Sequence, residues 1–271
     1  MRLAHGFVAV ALVAGMVMVV AGGPGPGGGR PAGTTSSSTP APTAPPSPPP
    51  SPRAQAPAPR APVVVLDPRG PGDPSVADPS STTVVVNKRR PLRPRTYAPD
   101  DLRVVRGTGH LMRAAAARAM RRLLVAAAHA HERLRVDSAY RSYAVQRDTY
   151  AQWVAELGED DADVVSARPG YSEHQTGLAA DLLPARGACQ AFGCFAGTSQ
   201  ARWLAAHAHE YGFVVRYPRG AKAVTGYHHE PWHVRFVGLA VARRIAAAEA
   251  AAGEPVTLEE YFGLPDAPGY R

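Results

Sequence analysis

Cysteine is nearly absent from this 271-residue chain: there are two, and neither lies near position 20, which argues against a lipid-anchored lipoprotein. Carboxylates are also few, 22 Asp and Glu against 30 Lys and Arg, for a formal net charge of +8. The imbalance is local, because the basic residues crowd between Lys88 and Arg122 and face only Asp100 and Asp101 there. Aromatic residues make up 7% of the chain. They do not interleave with the basic stretch, and no base-reading motif accompanies it, so nucleic acid is not an expected partner. Internal repeats are absent.

What is abundant is glycine and proline, 26 and 28 residues, concentrated in the first third. Residues 1–22 combine Arg2, an apolar run from Phe7 to Val20 and small residues, the layout of an export signal. The uncharged stretch also approaches the roughly 20 residues that span a bilayer, so an uncleaved membrane anchor is the alternative. Residues 23–83 are dominated by Gly, Pro, Ala, Ser and Thr. Such a segment buries too little apolar surface to offset its ordering entropy and reads as an extended, disordered spacer. A single folded domain is expected over 84–265, followed by a short tail, 266–271. Export makes a short-loop disulfide between Cys189 and Cys194 the expected state; a metal pair, for which the spacing is poor, and free thiols are the alternatives. The basic stretch reads first as a plain solvated basic face; in an exported protein an anionic cell envelope is the functional alternative.

Periodicity predicts strands over 82–87, 134–138, 178–183, 213–217 and 233–237. Helices are expected over 111–131, 143–157, 200–211 and 239–252. Without regular βαβ spacing, this order points to an α+β fold, a small central antiparallel sheet flanked by helices. In the first helix Met112, Ala116, Met120, Leu123 and Ala127 form one stripe, with Arg113, Arg118, Arg121 and Arg122 largely off it.

Two segments carry the chemistry: Ser172-Glu-His174-Gln-Thr-Gly177-Leu-Ala-Ala-Asp181 and His229-Glu230-Pro231-Trp232-His233. Hydrolytic zinc needs three protein ligands, an open position and a nearby base. His229–His233 fits H-E-x-x-H, yet Pro231 lies inside it and pushes Glu230 away from helical dihedrals. The following His-Val-Arg-Phe-Val alternates like a strand. The competing set is His174, Asp181 and His233 as ligands with Glu230 as base. Asp181 lies in Gly-Leu-Ala-Ala-Asp-Leu-Leu, where a carboxylate is an improbable core residue unless paired or metal-bound. Gly177 removes a side chain where backbone comes close to the site.

These motifs resemble the VanY-type D-alanyl-D-alanine carboxypeptidases, cell-wall zinc peptidases related to the VanX-type dipeptidases. Val86-Asn87-Lys88, Tyr140-Arg141-Ser142-Tyr143, Arg216-Tyr217-Pro218, Thr225-Gly226-Tyr227 and Leu258-Glu259-Glu260-Tyr261 extend the likeness over roughly 84–262. The resemblance implies one zinc ion on His174, Asp181 and His233 in a cleft on the sheet, Glu230 as general base and Arg141 stabilising the transition state. Ser172, Gln146 and Tyr143 are candidate substrate-binding groups, with a loop-capping role open for Ser172. Trp232 is expected as a wall, and His228 and His229 as solvent-facing or outer residues. His129, His131, His207 and His209 show no partner in the sequence. The implied substrate is the peptidoglycan stem peptide, cleaved by an exported monomer whose membrane contact is confined to the N-terminal segment. L,D-carboxypeptidase, dipeptidase or endopeptidase action at the same site, and a non-catalytic cell-wall module, are the alternatives.

Overall fold

The computed structural model describes residues 74–270; the apolar segment 1–22 and the spacer as far as residue 73 lie outside the described residues. A 3-10 turn, Pro74–Val76, leads to a two-stranded antiparallel ribbon, β1 (Leu102–Val104) with β2 (Leu111–Arg113). Then follow α1 (Ala114–His129), β3 (Leu134–Ser138), α2 (Tyr143–Leu157) and α3 (Glu159–Val165). A second 3-10 turn, Glu173–Thr176, precedes β4 (Ala179–Pro184), α4 (Phe192–Phe195) and α5 (Ser199–His207). The chain continues through β5 (Phe213–Tyr217), α6 (Lys222–Thr225), β6 (Glu230–Phe236), α7 (Leu239–Ala252) and α8 (Leu258–Tyr261). The main sheet has the order β3-β4-β6-β5, with every neighbouring pair antiparallel. This is the expected α+β arrangement. Among the described residues, no helix is long and apolar enough to cross a membrane.

Helix α1 buries the expected stripe, Ala116, Met120, Leu123 and Ala127, against Leu134, Val136, Leu182, Leu204 and Phe213. Arg118, Arg121 and Arg122 stay exposed. Helix α2 starts where Ser142 Oγ accepts the Val145 N–H, 3.3 Å away, a side-chain cap for an otherwise orphaned donor. It stops at Gly158, whose φ of 82° lies outside helical space.

Several expectations change. Residues 82–87 form no strand; an isolated bridge joins Asn87 to Arg90. Their backbone groups are satisfied otherwise: Val85 N–H donates to Val76 O (3.0 Å), and Arg235 donates to Thr82 O and Val84 O. Residues 111–113 are extended rather than helical, because they pair with β1, which periodicity did not reveal. Residues 208–211 leave the third expected helix as a 3-10 turn. The packed body also starts before residue 84, since Val76 is buried in the cluster around α7 and α8. Nor is the C-terminal segment a free tail. Ala267 N–H donates to Val224 O at 2.7 Å, and the Tyr270 ring meets Tyr171 with centroids 5.0 Å apart.

Gly177 is required for a reason other than the expected one. Its φ is +68°, and an added Cβ would lie 3.0 Å from Leu102 Cδ2 and 3.1 Å from Arg113 Cγ. The close approach is therefore to the β1–β2 ribbon, which Gly177 O also holds by accepting the Arg113 N–H at 2.8 Å. Gly177→Ala is expected to cost about 1–2 kcal/mol in urea denaturation. A cost under about 0.5 kcal/mol, the range of ordinary surface changes, would remove the packing argument.

Candidate metal centre and cleft

Sheet register brings the metal donors together. Asp181 on β4 is the Cα partner of His233 on β6 and of Ser138 on β3. Register slips at both places: between Val136 and Ser138 on β3, and where Val215–Tyr217 of β5 faces Val234–Glu230 of β6. Bulges of this kind re-aim side chains. On β6 the bulge lets Glu230, Trp232 and His233 all line one cleft, which strict alternation would forbid.

His174 stands in the 3-10 turn before β4. Its Nδ1 lies 2.6 Å from Ala139 O; a carbonyl only accepts, so the ring proton belongs on Nδ1 and Nε2 is left as the electron-pair donor. Nε2 is 3.2 Å from Asp181 Oδ2. His233 Nδ1 is 3.0 Å from Asp181 Oδ1, and the two imidazoles meet edge-on at 82° with centroids 4.9 Å apart. The donor atoms of His174, Asp181 and His233 lie within 4.8 Å of one another, all three residues are buried, and no second such group occurs among the described residues. Two imidazoles and one carboxylate, one ring already oriented by a carbonyl, fit the donor set of a hydrolytic zinc site.

Glu230 Oε2 lies 3.9 Å from His233 Nδ1. Burial pushes its carboxyl up to about 7; His233 and Arg141 oppose the rise and Asp181 adds to it. Arg141 follows β3 and donates its backbone N–H to His174 O at 3.3 Å. Burial lowers its guanidinium pKa while Asp181 and Glu230 raise it, and the group stays a cation. Its Nε is buried without a hydrogen-bond partner among the described residues. The cleft, about 160 Å³, is lined by these groups together with Ser172, Trp153, Phe192, Tyr217, Tyr227 and Trp232. A larger depression of about 400 Å³, lined by Phe213, Val214 and Pro231, contains no comparable donor cluster among the described residues.

The other expected residues divide. Ser172 is buried on the cleft wall, and its side chain makes no cap to the 3-10 turn that follows it. Gln146 is fully buried and does not line the cleft: its amide donates to Ala167 O (2.6 Å) and Ser166 Oγ (3.3 Å), so it fastens the segment behind the wall. Tyr143, in the first turn of α2, is not among the lining residues either. His229 is half-buried, faces the larger depression and lies outside the donor cluster. Residues 230–236 are a strand, so the H-E-x-x-H helix does not form. His228 is exposed, as are His129 and His131. His207 has partners after all, Glu210 at 2.9 Å and a stacked Trp203. Cys189 and Cys194 form a disulfide.

Sequence reasoning missed Glu173. Its side chain is fully buried, and Oε1 accepts from Arg216 Nε (2.9 Å) and Arg235 Nη1 (2.7 Å). Burial alone would raise its carboxyl pKa; the two arginines more than reverse that and hold it well below the usual carboxylate range. Arg216 also grips Glu259 with two bonds of 2.8 and 2.7 Å, and Asn87 donates to the same carboxylate at 2.9 Å. Glu173 Oε2 faces His233 Nε2 at 3.7 Å. The site thus backs onto a buried, charge-balanced network that comes within ion-pair distance of His233 without hydrogen-bonding it.

Residues 109–239 match the family model described as VanY, D-alanyl-D-alanine carboxypeptidase. YodJ of Bacillus subtilis (strain 168), named a carboxypeptidase, is 34% identical over 196 residues, 69% of each chain. Among solved structures, the LdcB LD-carboxypeptidase superposes with a TM-score of 0.59 at 33% identity, covering 69% of this chain and 88% of its own. A mutant of the vancomycin-resistance D,D-pentapeptidase VanY in complex with Zn(II) superposes with a TM-score of 0.55 at 27% identity, covering 66% and 97%.

Proposed function

Because the chain belongs to the VanY family of D-alanyl-D-alanine carboxypeptidases, we propose that it is a zinc-dependent carboxypeptidase that removes the terminal D-alanine of peptidoglycan stem peptides. The observation that carries this reading is the convergence of His174, Asp181 and His233 with Glu230 poised 3.9 Å from His233 Nδ1. Those three side chains would hold the zinc ion, which would supply Lewis acidity for activating a water. Glu230, largely but not fully buried and with its carboxyl pKa raised to about 7, takes the water's proton and returns it to the leaving amine. Arg141, a cation with an unpartnered buried Nε, donates to the oxyanion that develops on the amide. Export, read from the N-terminal sequence, belongs to the same proposal and places the enzyme at its substrate.

The likeness to LdcB favours one second reading, L,D-carboxypeptidase action on tetrapeptide stems. The two separate in one experiment on the purified full chain. Zinc is measured by mass spectrometry, and alanine release is followed from muramyl pentapeptide and tetrapeptide. Release from the pentapeptide, lost on chelation and restored by zinc, is expected. Release from the tetrapeptide alone would replace the first reading with the second, and turnover undiminished in metal-free protein would remove zinc from both.

A further inference from the structure

The disulfide loop forms part of the cleft. Between Cys189 and Cys194 the chain makes a single helical turn, α4, with Phe192 at its start and Phe195 at its end. Phe195 is fully buried in the main core. Phe192, half-buried, packs against the edge of the same core and also lines the cleft, with its ring 4.9 Å from the Trp232 ring at 34°. Trp232 is the residue before His233, so this aromatic pair couples the loop to the strand that carries a metal donor. Trp153 of α2, 38% exposed, and Val165 line the same cleft.

A four-residue turn has no stability of its own. Phe195 in the core, the hydrogen bond that Gln190 donates to Pro184 O and the covalent bridge around Phe192 hold this one. The bridge closes a six-residue loop and so removes most of the alternative paths the chain could take between its ends. Phe192 makes none of the polar contacts that would otherwise locate it.

We infer that Phe192 is a specificity-determining residue: with Trp232 it forms an apolar wall that receives the aliphatic part of the peptide substrate, and the Cys189–Cys194 bridge is the device that keeps it there. The inference rests on reading the cleft as a peptidase site. It assigns Phe192 to substrate binding and not to the chemical step, because nothing on its ring can donate, accept or move a proton.

The test compares Phe192→Ala, Phe192→Leu, Cys189→Ser/Cys194→Ser and the triple variant of Phe192→Ala with both serines, each as the full chain with zinc content checked. Phe192→Ala is expected to raise KM about tenfold with kcat nearly unchanged, the mark of lost uniform binding. Phe192→Leu recovers much of that loss, the bridge-free variant moves KM the same way by about threefold, and the triple variant is no worse than Phe192→Ala. An unchanged KM in Phe192→Ala overturns the wall, as does a fall confined to kcat. A triple variant whose effects add overturns the link between bridge and Phe192. Should the wild type turn over no stem peptide at all, the activity reading fails by itself. The wall is then read in a Trp153→Phe/Trp203→Phe background by acrylamide quenching of Trp232, which must rise when either Phe192 or the bridge is removed; no rise overturns it.

Discussion

Glu230→Gln lowers kcat/KM for D-alanine release by about 10²–10⁴-fold, the range set by removing a general base, with bound zinc retained. Glutamine keeps the size and hydrogen-bonding shape of the side chain but cannot accept the water's proton. Glu230 acts as base only when deprotonated, and burial holds its carboxyl at about 7. Activity therefore rises with pH as that proton leaves and falls on the acid side. A cation beside Asp181 draws the value down, so the acid limb lies at or below about pH 7. A kcat/KM profile checks both points, because the limb should vanish from the residual activity of the variant. Full activity, or an acid limb unchanged in Glu230→Gln, would take Glu230 out of this role.

Arg216→Met is expected to cost about 3–5 kcal/mol of stability, the range for breaking a buried ion pair from one side. Methionine fills much of the volume, so the loss is electrostatic. Arg216 gives one donor to Glu173 and two to Glu259, all at 0% side-chain exposure. Without it two buried carboxylates share Arg235 and Asn87. Glu259→Met added to Arg216→Met removes one of the stranded charges and should recover part of the loss, since pairs replaced together cost less than pairs broken. Urea denaturation measures both; a single-variant cost below about 1 kcal/mol, the size typical of exposed ion pairs, would show that the network is not what holds the strands. The sign of the pH effect follows from the depressed Glu173 carboxyl. Its contribution is complete above the ordinary value of 4.5 and is lost only as pH falls through the lower folded-state value.

How much of this was legible depended on whether the signal was local. Helix α2 and strand β5 have the limits that periodicity predicts, and Pro231 with the alternating residues after it argues against the helical zinc motif, as strand β6 bears out. Asp181 was found because a carboxylate among Leu and Ala needs a partner. The same argument applies to Arg216 in Phe-Val-Val-Arg-Tyr and to Arg235 in His-Val-Arg-Phe-Val, and it would have pointed to an acidic counterpart. It would not have said which one, because Glu173 lies 43 and 62 residues from its two arginines. Gln146 shows the converse: a polar residue near the site by sequence motif, but turned into the wall to hold Ala167.

The sequence by itself determined the donor chemistry: two histidines, a carboxylate in an apolar strand, a second carboxylate beside the last histidine, and a proline that keeps that segment extended. Only the tertiary structure decided that these four meet. Asp181 faces His233 through β4–β6 pairing, the bulge on β6 turns Glu230, Trp232 and His233 into one cleft, and Ala139 O sets the tautomer of His174. Register is a property of paired strands, and each residue's own chain carries only its alternation. The disulfide followed the same rule: two cysteines five apart foretold a closed loop, while its place against Trp232 came from packing of Phe192 and Phe195 on a sheet assembled from distant segments.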